Sequence, residues 1–312
     1  MVLYKASIMP KSAFSSPLQG DTLFGAFCWS YRYLYGKDEL KKLLHKSVDE
    51  KPQIIFSNAY PENYLPLPMG VYDTERKPFN MAEMTEAKRI YQENKKYKKC
   101  TLVHKEAFKK IQNGTRKGYS QFLNDEQVIQ VESVHNMVGR ADGTVGSAEE
   151  TGSLFVMDEF HASGFKVFDV YILSALDKDI IWEVLLLMSE LGIGAGKSSG
   201  KGHFEPISMN EETELETCHN ANGYMAISNF IPAVHDPSDG WYKTFVKYGK
   251  LDREYAAGQF PFKKPLLYIQ SGAVFKTNQP RPWYGSFITN ASAVSGVVIN
   301  ACTIAVQMHI PD

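Results

Sequence analysis

Between Leu191 and Gly202 the chain reads Leu-Gly-Ile-Gly-Ala-Gly-Lys-Ser-Ser-Gly-Lys-Gly. Glycine at that density destabilises a helix or a strand, so the segment is a loop, and its flanks limit the fold around it. Upstream, Ile180, Ile181, Val184, Leu185, Leu187, Met188 and Leu191 recur at three- and four-residue spacing behind Asp177. That pattern predicts an amphipathic helix with a capping aspartate. Downstream, Gly202-His203-Phe204-Glu205-Pro206-Ile207 reads as a strand. The Walker A loop runs the other way, from strand to helix, and needs a leading glycine at position 191, where this chain has leucine. An ATP-binding loop of that type is therefore excluded. Glycine amides with Lys197 and Lys201 nearby remain suited to phosphate. The plainer alternative is a glycine-rich connection with surface lysines.

The same strand and helix vocabulary extends in both directions. Residues 2–9 alternate as a first strand, and Asp21 is expected to cap a helix carrying Phe24, Phe27, Cys28, Tyr31 and Leu34 on one face. A short helix through Leu40, Leu43 and Leu44 and a strand at 53–57 follow. Residues 165–173 form a further strand ahead of the helix that enters the glycine loop. Strand–helix–strand twice over is the order of a ferredoxin-like domain. The expected class is α+β with two such domains built on antiparallel sheets. The first covers 1–209, with the glycine-rich loop after its second helix. An acidic linker at 210–222 leads to a second, degenerate domain at 223–312. That domain has strands at 223–231, 266–275 and 297–310 and a mostly polar helical piece around Trp241 to Tyr255.

Two stretches interrupt the first domain. Residues from about 75 to 125 read as a helical insertion, whose second piece carries Leu102, Val103, Phe108 and Ile111. From Glu86 to Gly118 the chain has eleven Lys or Arg against three Glu, within a formal net charge of −1 overall. A polyanion site is therefore local. The lysine run is either a solvated helical hairpin or an electrostatic surface for nucleic acid. From Ala141 to Ser153, between strands at 127–132 and 154–157, a Gly-, Ser- and Thr-rich run suggests an extended excursion. Cys28, Cys100, Cys218 and Cys302 are too far apart in sequence to suggest a zinc ribbon or a redox pair. Neither a signal peptide nor a membrane-length apolar run is present, which reads as cytoplasmic with no membrane partner.

Taken with these elements, Leu191 to Phe204 resembles the glycine-rich loop of the RAMP superfamily of CRISPR proteins, including its Lys-Ser-Ser-Gly-Lys-Gly core. Ser16-Pro17-Leu18-Gln19-Gly20-Asp21-Thr22-Leu23-Phe24-Gly25 is similar to the first turn and helix of effector-complex subunits. His135-Asn136-Met137-Val138-Gly139-Arg140 through Gly152-Ser153-Leu154-Phe155 and the stretch 264–275 are similar to further segments of them. The combination resembles the Csm-type subunit of type III-A complexes that holds the 5′ handle of the guide RNA. The resemblance is weakest over 75–125.

That resemblance implies a non-catalytic, cofactor-free RNA-binding subunit in antiviral defence. Its implied partners are the guide-RNA handle, target RNA nearby, a large polymerase-like subunit and a backbone RAMP subunit. It also implies a thumb-like hairpin, best positioned at 136–153, that wedges into the guide–target duplex. The expected RNA contacts are Lys11, Gln19, Gly20, Arg32, His135, Asn136, Arg140, Gly194, Gly196, Lys197, Ser198, Ser199 and Lys201, with no metal site. Lysines and loop amides would neutralise phosphates, and Arg140 would bind phosphate or stack on a base. The alternative activity is metal-independent cleavage of guide-RNA precursors with His203 or His135 as acid or base. Neither histidine is paired in sequence with a convincing partner.

Overall fold

The first strand, β1 (Val2–Pro10), sets the layering of the molecule. Its side chains alternate between two cores, as a pleated strand requires. Tyr4, Ala6 and Ile8 face one cluster and Leu3 the other. The computed structural model describes residues 1–70, 88, 100–115, 123–124, 128–136, 154–162, 165–215, 218 and 220–311.

Helices α1 (Gly20–Tyr35) and α2 (Lys37–Asp49) follow, then β2 (Ile54–Pro61) and β3 (Tyr64–Pro66). Further on come β4 (Leu102–His104), α3 (Lys105–Gln112), β5 (Leu123–Asn124), β6 (Val128–Asn136) and β7 (Leu154–Ala162). Then β8 (Phe168–Ser174), α4 (Lys178–Leu191) and β9 (Phe204–Glu211) complete the N-terminal part. The main sheet has the order β2-β8-β1-β9, every neighbouring pair antiparallel. Both α1 and α4 cover one face: Phe24, Phe27, Ile181, Val184, Leu185 and Met188 pack against Ile8, Phe56, Val170 and Ile172.

The other face packs on a second sheet. It is built from β10 (Gly223–Ala226), β11 (Gly240–Trp241), β14 (Val274–Lys276), β15 (Trp283–Ile288) and β16 (Ile299–Met308), in the order β11-β14-β10-β16-β15. Leu3, Ile55, Tyr171 and Leu173 meet Met225, Ile227, Val274 and Ile304 between the sheets. β12 (Thr244–Lys247) and β13 (Leu266–Ile269) form a separate antiparallel ribbon.

Several expectations need correction. Asp21 does not cap α1; the cap position is Gln19, with no side-chain cap bond, and Asp21 accepts from Lys247 Nζ at 2.7 Å. Leu102 and Val103 lie in a strand, because their β-compatible side chains pair across β3; the helix begins only at Lys105. This part is not a solvated hairpin: Leu102, Val103, Ala107, Phe108 and Ile111 lie in the inter-sheet core. The polar helix expected near 241–255 is β11, β12 and a 3₁₀ turn, Arg253–Ala257. Its run of aromatic and β-branched residues favours extended chain.

The C-terminal sheet also does not repeat the order of the first, and the described residues after 212 hold no α-helix. The strand expected over 266–275 is two strands in different sheets, turning at Gly272 with φ +87°.

The stretch expected to be a linker is pinned down. Glu212 accepts from Lys105 Nζ at 2.7 Å, and Leu215 is buried. Glu214 pairs with Lys109 at 2.7 Å and with Lys105 at 3.2 Å. Hydrogen bonds from Lys109 and then Lys105 hold its carboxyl at about 2. Two cations of the basic stretch are thus committed to the acidic one. The lysine run 95–99, Arg140 and the excursion 137–153 lie outside the described residues.

Candidate nucleic-acid interface

Helix α4 ends at Gly192, whose φ of +75° reverses the chain and whose N–H bonds to Met188 O at 3.0 Å. The loop then closes on itself through Ile193 N–H to Gly202 O at 2.9 Å. A Cβ on Gly202 would stand 2.1 Å from Ile193 O, so only glycine permits this neck. The loop is also sewn to the β1–α1 connection. Gly202 N–H bonds to Ala13 O at 2.9 Å, Lys11 N–H to His203 O at 2.9 Å, and His203 N–H to Ser12 Oγ at 3.0 Å. Phe14 and Phe160 exchange two backbone hydrogen bonds, at 3.0 and 2.7 Å, which brings strand β7 to the same place.

Within the loop a 3₁₀ turn, Lys197–Ser199, uses the carbonyls of Gly196 and Lys197. The N–H groups of Gly194, Ala195 and Gly196 have no hydrogen-bond acceptor among the described residues. Ala195 is exposed and the two glycines half-buried. Gly194 and Gly196 both have positive φ, and successive amides of a glycine-rich turn left without such an acceptor can receive an anion.

The cations around it are held by carboxylates of the chain itself. Lys197 Nζ pairs with Asp252 and Lys201 Nζ with Glu159. Hydrogen bonds from Lys201 and then Ser133 hold the Glu159 carboxyl at about 2. Lys11 pairs with Glu205 at 2.5 Å. Arg32 donates to Glu254 at 2.8 Å and lies over the Trp29 ring, 5.1 Å from its centroid. An incoming phosphate would share or replace these partners, most of which are only partly buried.

The other expected site residues divide. His135 Nε2 lies 2.8 Å from Ser133 Oγ and 3.6 Å from Glu159, so it is joined to Lys201 through one carboxylate, and its ring stacks on Phe155. Ser199 Oγ donates to Gly196 O at 2.8 Å and braces the turn. Gln19 accepts from Lys247 at 2.6 Å. Gly20 N–H bonds to Asn58 Oδ1 at 3.1 Å, and a Cβ there would meet Phe56 O at 2.3 Å. Gln19 and Gly20 therefore secure the start of α1. Asn136 ends β6, exposed, opposite Leu154. The backbone of Ser198 lies in the 3₁₀ turn; its side chain is outside the described residues.

Sequence reasoning missed Glu159, Asp252 and Glu254, because their partners are distant in the chain. It also missed Trp29 and Tyr33, although their helical spacing with Arg32 was visible. His203 Nδ1 lies 3.3 Å from Ser189 O. Burial pushes the Cys28 thiol up to about 12, consistent with a packing role on α1.

Fold and site together define an α+β protein with antiparallel sheets that presents an amide-rich glycine loop between its second sheet-covering helix and the last strand of that sheet. The RAMP superfamily model matches residues 10–205, and the chain belongs to that superfamily. Among solved structures, 99% of this chain is similar to 99% of a chain in the crystal structure of a Csm1-Csm4 cassette in complex with pppApA. The identity is 16% and the TM-score 0.62. All of it is similar to all of a chain in the crystal structure of the Csm3-Csm4 subcomplex of the type III-A CRISPR-Cas interference complex, at 16% identity and a TM-score of 0.58. At this identity the likeness is one of fold. No curated protein matches the chain. No helix among the described residues is long and apolar enough to cross a membrane.

Proposed function

We propose that this chain is the RNA-binding subunit that holds the 5′ handle of the guide RNA in a type III-A CRISPR interference complex. In this reading it is non-catalytic, serves antiviral defence, and docks a large polymerase-like subunit and a backbone RAMP subunit. One observation carries the reading: the amides of Gly194–Gly196, without an acceptor among the described residues, beside Lys197 and Lys201, at the point where the β1–α1 connection, the loop and β7 converge. Phosphates would seat on the amides, and Lys197 and Lys201 would exchange their carboxylate partners for phosphate oxygens. Lys11, Arg32 and Arg140 would extend the track. The family membership and the assemblies in which chains of similar fold were solved support the reading. The sheet β2-β8-β1-β9 is read as a ferredoxin-like unit, and the β6–β7 hairpin as the stem of a thumb. Exposed Val134, Leu154 and Val156 are available on that stem to enter a duplex. The test is binding of a labelled handle RNA by the parent and by Lys197→Glu/Lys201→Glu. Loss of binding is expected, and parental affinity would reject the cradle.

A second reading draws on one cluster. His135, His161 and Lys201 surround Glu159, at 3.6 and 3.2 Å for the histidines, which is the kind of set that cleaves RNA without metal. Glu159, held near 2, cannot take up a proton at neutral pH, so a histidine would have to be the base. Incubation of repeat RNA in EDTA decides it: specific cleavage lost in His135→Ala would establish the enzyme, and intact RNA would dismiss it.

A further inference from the structure

Next to the glycine loop, and around Arg32 of the proposed phosphate track, lie Trp29, Tyr33, Tyr255 and Arg253, to which the proposed cradle gives no task. Trp29, Arg32 and Tyr33 share one face of α1, at the i, i+3 and i+4 spacing that makes helical neighbours. Tyr255, on the 3₁₀ turn Arg253–Ala257, packs on Trp29 at 5.8 Å between ring centroids, and Trp29 and Tyr33 lie 6.3 Å apart. Arg253 places its guanidinium 5.2 Å from the Tyr33 centroid. Asp252 and Glu254, on either side of Arg253, grip Lys197 and Arg32. The aromatic group is therefore fastened directly to the loop.

Three features set it apart from ordinary packing. Tyr33 is 54% exposed. Arg253 has φ +52°, a left-handed conformation unfavourable for a side-chain-bearing residue, and the fold holds it there. Its Nε is buried without a hydrogen-bond partner among the described residues. A buried donor in that state lacks an acceptor that a ligand can supply.

We propose that Tyr33, Trp29, Tyr255 and Arg253 form a stacking subsite for an unpaired nucleobase, one step along the strand from the phosphates seated on the glycine loop. Aromatic faces and guanidinium planes bind splayed bases with little sequence preference. The base lies on the Tyr33 ring, and Arg253 donates to a base carbonyl or the adjoining phosphate. The inference rests on the reading of the loop as a phosphate cradle, yet its signature differs. Stacking adds affinity that is independent of salt, whereas phosphate contacts set the salt dependence.

The experiment uses the full chain and single-stranded RNAs carrying 2-aminopurine at successive positions. Binding to the parent should quench one position strongly. Tyr33→Ala should abolish that quench and weaken binding about 5- to 150-fold with an unchanged salt slope. Tyr33→Phe should retain both. Arg253→Ala, checked with Tyr33→Ala by thermal melting for intact folding, should weaken binding in the same direction. No quenched position in the parent, or full affinity and quench in Tyr33→Ala, would overturn the subsite. Lys197→Glu/Lys201→Glu separates the two readings. If it binds as the parent does, the cradle fails on its own; if it alone loses binding while Tyr33→Ala does not, the subsite fails on its own.

Discussion

Alanine at three glycines should have three different consequences, and the order follows from the space each occupies. At Gly202 the φ of +81° costs an alanine about 1–2 kcal/mol. The added Cβ would also stand 2.1 Å from Ile193 O, with Ile193 N and C at 2.8 and 3.0 Å. Those are backbone atoms that cannot rotate away, so the neck must open and its hydrogen bond is lost, for about a further 1 kcal/mol. The sum is about 2–3 kcal/mol. At Gly200 the φ of +77° imposes the same backbone cost, but nothing lies within 4 Å of the new Cβ, so only about 1–2 kcal/mol is expected. At Gly25, an exposed position inside α1, the Cβ meets nothing within 4 Å and helix propensity favours alanine by about 0.5–1 kcal/mol. Urea unfolding followed by tryptophan fluorescence reads this directly. With a slope of about 3 kcal/mol/M, Gly202→Ala should lower the midpoint by about 1 M, Gly200→Ala by about half that, and Gly25→Ala should raise it slightly. Equal midpoints for Gly202→Ala and Gly200→Ala would refute the closed neck.

Other perturbations have equally definite outcomes. Lys105→Met leaves Glu212, whose side chain is 4% exposed, without its cation, and should lose about 3–5 kcal/mol in the same assay. Lys42→Met, at an exposed pair with Glu39, should leave the urea midpoint essentially where it is. Phe108→Ala empties a fully buried position under α3 and should cost about 3–5 kcal/mol, read as an earlier urea midpoint. The Glu159 carboxyl is held at about 2 against an ordinary 4.5, so its stabilising effect is present above about 4.5 and is lost as pH falls towards 2. Thermal melts of the parent and Glu159→Gln should therefore differ at pH 7 and converge near pH 2.

What could be read from the residues was what repeats along the chain. β1 and α4 announce themselves by apolar residues at strand and helix period, and β8 as a largely apolar run that is buried on both faces. Asp169 is the exception that sequence could not place: it is fully buried in β8, held by Ser7 Oγ at 2.8 Å and Asn63 N–H at 3.0 Å. The glycine loop was legible because only positive φ and close backbone approach explain so many glycines together. Its electrostatics were not, since Asp252 and Glu159 come from segments 55 and 42 residues away from their lysines. The C-terminal half was harder. β10 has four residues and β14 three, too short for a period to register. The stretch at 241–250 mixes aromatics with lysines that suit either a helix or a strand, and pairing with β13 and β14 decides it. Of the group beside the loop, Arg32 stood out in the sequence as a cation near the loop, while Trp29 and Tyr33 on the same helix face were missed. Tyr255 and Arg253 reach them only through the tertiary fold.

The most direct test of the central claim is the salt dependence of handle-RNA binding. Affinities of the parent and of Lys197→Glu/Lys201→Glu are measured across a potassium chloride series. If both lysines take phosphates, the double variant should bind far more weakly, and its plot of log affinity against log salt should be shallower by at least about 1.4, the slope of two single-strand phosphate contacts. Parallel plots at equal affinity would mean that these lysines remain with Asp252 and Glu159 when RNA binds, and that the glycine loop is not its cradle.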